Sequence, residues 1–277
     1  LGEKLSDLIW HGSIDDLTLT ENAQPALMAT TLAAFRALES EGLKVEDAKF
    51  VAGHSLGEYS ALAMAGSLSI GDAAKLLRIR GREMQNAVPV GIGAMAAILG
   101  LTYSDLVEVA KKAADNEVCQ AANDNDPSQV VVSGHKDAVE RAIEIAKDMG
   151  AKRAVLLPVS APFHSELMAP AALKMEDALS NTSVADPEVP VVSNVKAQAV
   201  ASAVEIRSLL VAQVTGVVRW RESIEWMASN GVKEMWEIGA GRALSGMVRR
   251  IDRSISCSSV SKPEEVKKVI LSQNEMR

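Results

Sequence analysis

Ser55 has the type and the setting of a nucleophile. In FVAGHSLGEYSALAMAG, Phe50 to Gly66, it stands between Gly53 and Gly57, where an apolar strand gives way to an Ala-rich helix. A strand, then G-x-S-x-G, then a helix is the pattern of a nucleophile elbow, a sharp turn that lifts a hydroxyl off the edge of a sheet. The glycines two before and two after are expected to let strand and helix approach where side chains would collide. The helix start behind the serine offers free backbone N–H groups and a positive dipole end. The N–H of Leu56 is thereby placed to stabilise an oxyanion, an effect of about 3 kcal/mol per donor. A serine that merely caps a glycine-rich turn would give the same short pattern, so the flanking strand and helix carry the reading.

A serine hydroxyl needs a base to attack at neutral pH. The chain has four histidines. His11 lies in the polar stretch WHGSIDD and reads as a surface loop residue. His54 precedes Ser55, and neighbours on an extended chain point opposite ways, so it is expected to orient the elbow rather than deprotonate the serine. His135, in SGHKDAVE, sits at the mouth of a helix as a surface or capping residue. His164 lies in LLPVSAPFHSELM, where a strand ends, two prolines stiffen the loop and a helix begins. Sites in α/β proteins assemble at strand ends, which makes His164 the favoured base. No acidic residue stands out as its third partner. A backbone or amide carbonyl could hold the other ring N–H instead.

The helix after the elbow carries RIRGREMQ. Arg80 falls within its apolar stripe of Ala73, Leu76, Leu77, Met84 and Ala87, while Arg78 and Arg82 share the opposite face. A buried arginine needs an anion. Two partners fit: an internal Asp or Glu, or a substrate carboxylate gripped bidentately by the planar fork.

The elements that must position these groups follow from pattern. A helix is under way in LGEKLSDLIW, and ENAQPALMATTLAAFRALESEG is a second, with Pro25 near its first turn. Lys49–Ala52 reads as a strand and Glu58–Ala65 as a helix. Ser69 and Asp72 mark the start of the helix bearing Arg80. From Gly93 the order is strand, helix from Thr102, strand at Val118–Ala122, polar loop at Asn123–Ser128, strand at Gln129–Ser133, helix at Lys136–Met149 and strand at Arg153–Leu157. That is a split βαβ, ferredoxin-like unit. A helix from Ser165, a strand at Val189–Ser193, helices from Ala203 and Arg221, a strand at Lys233–Ile238, a helix from Ala243, a strand at Ile255–Val260 and a last helix complete an alternation that argues for a parallel α/β sheet.

Composition narrows the function. With 277 residues, 48% of them hydrophobic, the chain can bury a large core. A net charge of −7, without basic runs interleaved with aromatics, argues against a nucleic-acid partner. Two cysteines, Cys119 and Cys257, far apart and away from ligand-spaced histidines, suggest a reducing compartment without zinc. No apolar stretch is long enough to span a membrane, and no signal peptide is visible.

Taken together, GHSLGEYSALAMAG, RIRGREMQ, AANDNDPSQVVVSGHKDAVE, LPVSAPFHSELMAPAA and EIGAGRALSGMVRRI resemble the malonyl-CoA:acyl carrier protein transacylases of bacterial fatty acid synthesis, over nearly the whole chain. The resemblance implies an α/β-hydrolase-like large subdomain with a parallel sheet, residues 1–89 and 159–277, and an inserted ferredoxin-like small subdomain, residues 90–158. It implies Ser55 as the acylated serine, His164 as the catalytic histidine and Arg80 as the partner of the malonyl carboxylate. Gln213 matches the glutamine whose main-chain carbonyl receives the histidine N–H, and Asn125 an asparagine lining the cleft. Phe163 looks like the malonyl-selecting version of its motif. Malonyl-CoA and acyl carrier protein are the implied partners, with no cofactor, in a cytoplasmic monomer that touches neither nucleic acid nor membrane. The carrier is acidic, so Arg249, Arg250 and Arg253, or Lys152 and Arg153, are the basic clusters that could receive it. The family's G-Q-G-x-Q loop, which gives a second oxyanion donor, occurs nowhere in this sequence; with Leu1 as its start, an N-terminal segment is expected to be missing. Three rivals stand beside this reading: a serine esterase on the same elbow, an acyltransferase module of a polyketide synthase, and a non-catalytic acyl-CoA or carrier-binding module.

Overall fold

The computed structural model describes residues 1–159 and 161–276, with side chains of the last helix described as far as Leu271. Two short helices, α1 (Leu5–His11) and α2 (Ile14–Thr18), lead into the long α3 (Thr20–Ser40). Pro25 lies in the second turn of α3, deeper than the sequence suggested. Proline has no N–H, so the carbonyl four residues back loses its helical partner. That carbonyl belongs to Glu21, and Arg78 supplies the missing donor at 2.7 Å. Arg78 is therefore buried as well as Arg80, although it bonds Glu21 and Asn22 while Arg80 bonds Gln24 and Gln213.

The strand β1 (Val51–Ala52) runs into the elbow and then α4 (Gly57–Met64). Next comes α5 (Ile70–Asn86), whose start is capped as its sequence predicts: the Ser69 hydroxyl accepts from Asp72 N–H at 3.0 Å. After α5 the chain makes β2 (Gly93–Leu99), α6 (Tyr103–Ala114), β3 (Cys119–Asp126), β4 (Gln129–His135), α7 (Lys136–Asp148) and β5 (Arg153–Leu156). These strands form one antiparallel sheet in the order β3-β4-β2-β5. Alternate strand residues Ile98, Ala121, Val130 and Val132 point to one face, where they meet Leu106 and Val109 of α6 and Val139 and Ile143 of α7.

One expectation in this unit is corrected. Asn123–Ser128 is not a polar loop; β3 continues to Asp126, with irregularities of register on either side of Asn123–Asp124. Asn and Asp are poor strand formers. Here Asn123, Asp124, Asn125 and Asp126 are all buried, and the two carboxylates sit on Arg221 and Arg250.

The chain then returns through a short 3₁₀ turn (Glu166–Met168) to α8 (Ala169–Ser180), β6 (Val191–Val192), β7 (Ala199–Val200), α9 (Ala203–Thr215), α10 (Trp220–Ser229), β8 (Glu234–Ile238), α11 (Ala243–Ile251), β9 (Ser256–Val260) and α12 (Pro263–Met276). The sequence pattern did not indicate β7. The pairs β1/β6 and β8/β9 are parallel, as the alternation predicts, and β7 adds to β6 antiparallel. Among the described residues these strands form two hydrogen-bonded sheets rather than one. Val51 of β1 and Trp236 and Ile238 of β8 nonetheless border the same apolar cluster around Phe35, Leu38 and Val260. A second cluster, with Met28, Leu62, Leu76, Leu77, Met175, Leu210 and Val214, lies under α3, α4, α5, α8 and α9 and carries the elbow.

Candidate active site

Ser55 has φ 51°, a left-handed conformation that only a few per cent of non-glycine residues adopt. The turn is tight because strand and helix nearly touch. A Cβ on Gly53 would lie 2.0 Å from the carbonyl carbon and oxygen of Gly57. A Cβ on Gly57 itself would meet nothing within 4 Å, so close approach requires the first glycine of the motif and not the second. Leu56 follows as the N-cap of α4. N–H groups at the opening of a helix have no intrahelical carbonyl to bond.

The structure brings Ser55 and His164 together: Oγ lies 2.8 Å from Nε2. On the other side of the ring, Nδ1 is 2.9 Å from the main-chain oxygen of Gln213. A carbonyl only accepts, so Nδ1 carries the proton and Nε2 is left as the acceptor for the serine hydroxyl. His164 too is left-handed, at φ 57°, and it is 4% exposed. Burial, and then the Arg80 guanidinium, push its pKa down to about 3 against the raising effect of the Gln213 carbonyl. The imidazole is therefore neutral at ordinary pH.

Arg80 is 1% exposed. Its Nη2 donates to Ser55 Oγ and to Gln213 Oε1, both at 3.0 Å, and Nη1 donates to Gln24 Oε1 at 2.8 Å. Its Nε has no partner, and the guanidinium lies 5.8 Å over the Tyr59 ring. Of the two anions the sequence allowed, an internal carboxylate is not within ion-pair distance among the described residues. The fork is held by neutral oxygens.

The other predicted residues fall around this centre. His54 turns to Asn125, with Nε2 2.8 Å from Oδ1, and its ring stands 5.6 Å from that of Trp220. Phe163 is half-buried beside Met95, Ala122, Val131 and Leu157 and immediately precedes His164. His11 ends α1 rather than lying in a loop, and it is exposed. His135 occupies the N-cap position of α7, as expected, but its side chain makes no capping bond there; its Nδ1 accepts the N–H of Val118 at 2.9 Å, just before β3. Arg250, one of the basic residues considered for carrier docking, is engaged with Asp126 at 2.8 Å.

Sequence reasoning missed Glu58, Asn194 and Gln24. Glu58 is 3% exposed, and burial holds its carboxyl up at about 7, against the lowering effects of the Asn194 and Gln213 hydrogen bonds and the Arg80 charge. A lone carboxylate in the otherwise Ala-rich start of α4 was the signal for it. Asn194, in the turn after β6, gave no signal: its Oδ1 accepts from Ser55 N–H at 2.6 Å and its Nδ2 donates to Gly53 O at 2.7 Å.

A serine on a strand–turn–helix, with a neutral imidazole on its hydroxyl and a main-chain carbonyl behind that imidazole, defines a serine–histidine dyad. The family model described as "Acyl transferase domain" matches residues 1–250. The malonyl CoA-acyl carrier protein transacylase of Bacillus subtilis is 46% identical over 271 residues, 98% of this chain and 84% of that protein. The crystal structure of the acyl-carrier-protein-S-malonyltransferase from Bartonella henselae matches with a TM-score of 0.96 at 53% identity, covering 98% of this chain and 87% of that one. A malonyl-transacylase solved in complex with its type II PKS acyl-carrier protein matches with a TM-score of 0.95 at 40% identity, over 98% and 87%. The chain belongs to the acyl transferase domain family and, within it, to the malonyl CoA-acyl carrier protein transacylases.

Proposed function

We propose that this chain transfers the malonyl group of malonyl-CoA to the phosphopantetheine thiol of acyl carrier protein in fatty acid biosynthesis, through a malonyl ester on Ser55. The observation that carries the reading is the meeting of two groups on one hydroxyl: His164 Nε2 at 2.8 Å and Arg80 Nη2 at 3.0 Å. The imidazole suits acyl transfer, and the buried guanidinium selects an acyl group that ends in a carboxylate.

In the first half-reaction Ser55 Oγ attacks the thioester carbonyl while its proton passes to His164 Nε2. The tetrahedral oxyanion rests on the Leu56 N–H. The C–S bond breaks, and the imidazolium returns the proton to the departing sulfur as CoA thiol. In the second half the carrier thiol gives its proton to His164 and attacks the ester carbonyl; Ser55 Oγ leaves and takes that proton back. The Gln213 carbonyl holds Nδ1–H throughout and favours the imidazolium form. Arg80 is among the causes that depress the His164 pKa. A malonyl carboxylate on Arg80 offsets that repulsion, so the base strengthens when the right substrate is bound. Phe163 discourages a branched methylmalonyl group, and Asn125 and His54 line the cleft. Side chains and the thioester supply every step, so we infer no cofactor.

We read residues 1–89 and 159–277 as the α/β-hydrolase-like subdomain and 90–158 as the ferredoxin-like insertion, a division supported by their separate apolar clusters. No described helix is long and apolar enough to cross a membrane. We place the enzyme in the cytoplasm, working as a monomer. Incubation with malonyl-CoA and phosphopantetheinylated carrier tests the proposal. Malonyl-carrier thioester is expected to form much faster than free malonate; hydrolysis outpacing thiol transfer would return the esterase reading.

A further inference from the structure

The elbow is held from behind by one buried carboxylate. Glu58 lies a turn beyond the serine in α4, and a single oxygen of its side chain takes two bonds. Asn194 N–H donates to Oε2 at 3.1 Å and Gln213 Nε2 donates to the same atom at 2.7 Å. Both donors also reach the nucleophile. Asn194 uses its side-chain oxygen to accept the Ser55 N–H at 2.6 Å. Gln213 Nε2 donates to the Ser55 carbonyl at 3.0 Å, and the Glu58 N–H donates to that carbonyl at 3.1 Å. Three segments distant in sequence therefore converge on Oε2 and, through it, on both peptide groups of Ser55.

The geometry of a peptide says why this matters. The Ser55 carbonyl and the Leu56 N–H belong to one planar, trans unit. Fixing where the carbonyl points fixes where the N–H points. A left-handed serine is strained and persists when its surroundings over-determine it. A carboxyl that only complemented the dipole of α4 could sit in solvent. Glu58 instead is 3% exposed and meets no guanidinium or ammonium directly among the described residues.

We propose that Glu58 is a positioning residue, which through Asn194 and Gln213 sets the peptide planes on both sides of Ser55 and so aims the Oγ at His164 and the Leu56 N–H at the oxyanion. The inference rests on the reading of Ser55 as the acylated serine. Both hydrogen bonds end on one oxygen, so a carboxamide whose carbonyl oxygen takes the place of Oε2 keeps them, and a methyl group does not.

The test is the rate of Ser55 acylation by malonyl-CoA, followed by rapid quench and intact mass, with kcat and KM for transfer measured beside it. Glu58→Ala should lose about 10²-fold in acylation rate and kcat, the scale of an ångström-level misplacement, with KM for malonyl-CoA little changed. Glu58→Gln should restore most of the rate. Should Glu58→Ala fail to fold, Asn194→Ala removes the acceptor of the Ser55 N–H and should show the same split. Wild-type acylation rates in folded Glu58→Ala or Asn194→Ala, or Glu58→Gln as slow as Glu58→Ala, would overturn the positioning role. A wild-type chain that forms no malonyl adduct would instead overturn the acyl-serine reading beneath it.

Discussion

Two regions of this molecule bury charge beside arginine, and they do so in opposite ways. Where β3 meets α10 and α11, carboxylate and guanidinium touch. Arg221 places Nε at 3.1 Å and Nη2 at 2.7 Å on the two oxygens of Asp124, and Arg250 Nε lies 2.8 Å from Asp126. Backbone bonds run alongside, from Asp124 N–H to Val218 O and from Val218 N–H to Ala122 O, each 2.9 Å. Around Ser55 the charges are kept apart. The Gln213 side chain stands between Arg80 and Glu58, accepting from the first and donating to the second. Direct pairing neutralises a charge and fixes structure. Separation by an amide leaves the cation's field on the serine and its guanidinium without a carboxylate partner, a place an incoming acid can take.

The contrast can be broken most severely at the dyad. Ser55→Ala should lower transfer on the order of 10⁴-fold or more, and His164→Ala about 10²–10⁴-fold, both with urea stability close to wild type. A large loss of stability with little loss of rate would reverse the roles assigned to the two regions. At the seam the expectation is the reverse. Asp124→Ala leaves Arg221, whose side chain is 25% exposed, with Glu225 as its remaining carboxylate, and should cost about 1–3 kcal/mol in urea unfolding. Arg250→Ala should cost a comparable amount, since it leaves the buried Asp126 carboxylate with only the Ser128 N–H and hydroxyl as donors, at 2.9 Å each.

A smaller effect sharpens the site. Arg80→Ala should cut the preference for malonyl-CoA over acetyl-CoA by about 10–100-fold, the worth of charged hydrogen bonds to a carboxylate. It should also move the acidic limb of the kcat/KM profile to higher pH, because Arg80 helps to hold His164 low. Unchanged selectivity would make Arg80 a structural residue.

The smallest effect is on the slope of stability with pH. Glu58 rises from 4.5 to about 7 on folding, so the folded chain keeps a proton that the unfolded chain releases across that window. Its contribution is full below pH 4.5 and is lost as pH rises through 7. His164 falls from 6.5 to about 3, so the unfolded chain takes up a proton first and stability is lost as pH falls through that window. The two slopes oppose each other between pH 4.5 and 6.5. Glu58→Gln removes one of them. Its stability relative to wild type should increase between pH 4.5 and about 7, by up to a few kcal/mol in urea unfolding. A flat difference would mean that Glu58 ionises as it does in water.

These regions also differed in how far the sequence revealed them. The elbow was legible because strand, G-x-S-x-G and helix are contiguous, and Arg80 because a charge in an apolar stripe breaks a local period. His164 could be singled out because it sits at a strand end between stiffened loop and helix. The seam was not legible. Asn123–Asp126 has the composition of a loop, and what keeps it in a strand is a pair of arginines about a hundred positions away. Asn194 is hidden for the same reason: its partners Gly53, Ser55 and Glu58 lie on another segment. Glu58 was visible but ambiguous, since acids at helix starts usually face water.

The role of Ser55 as the acylated residue is read directly from the intact mass of the chain after brief exposure to malonyl-CoA. The wild-type chain should gain one malonyl group, located on Ser55 by peptide mapping, and Ser55→Ala should gain none. An adduct that persists in Ser55→Ala, or maps to another residue, would contradict it.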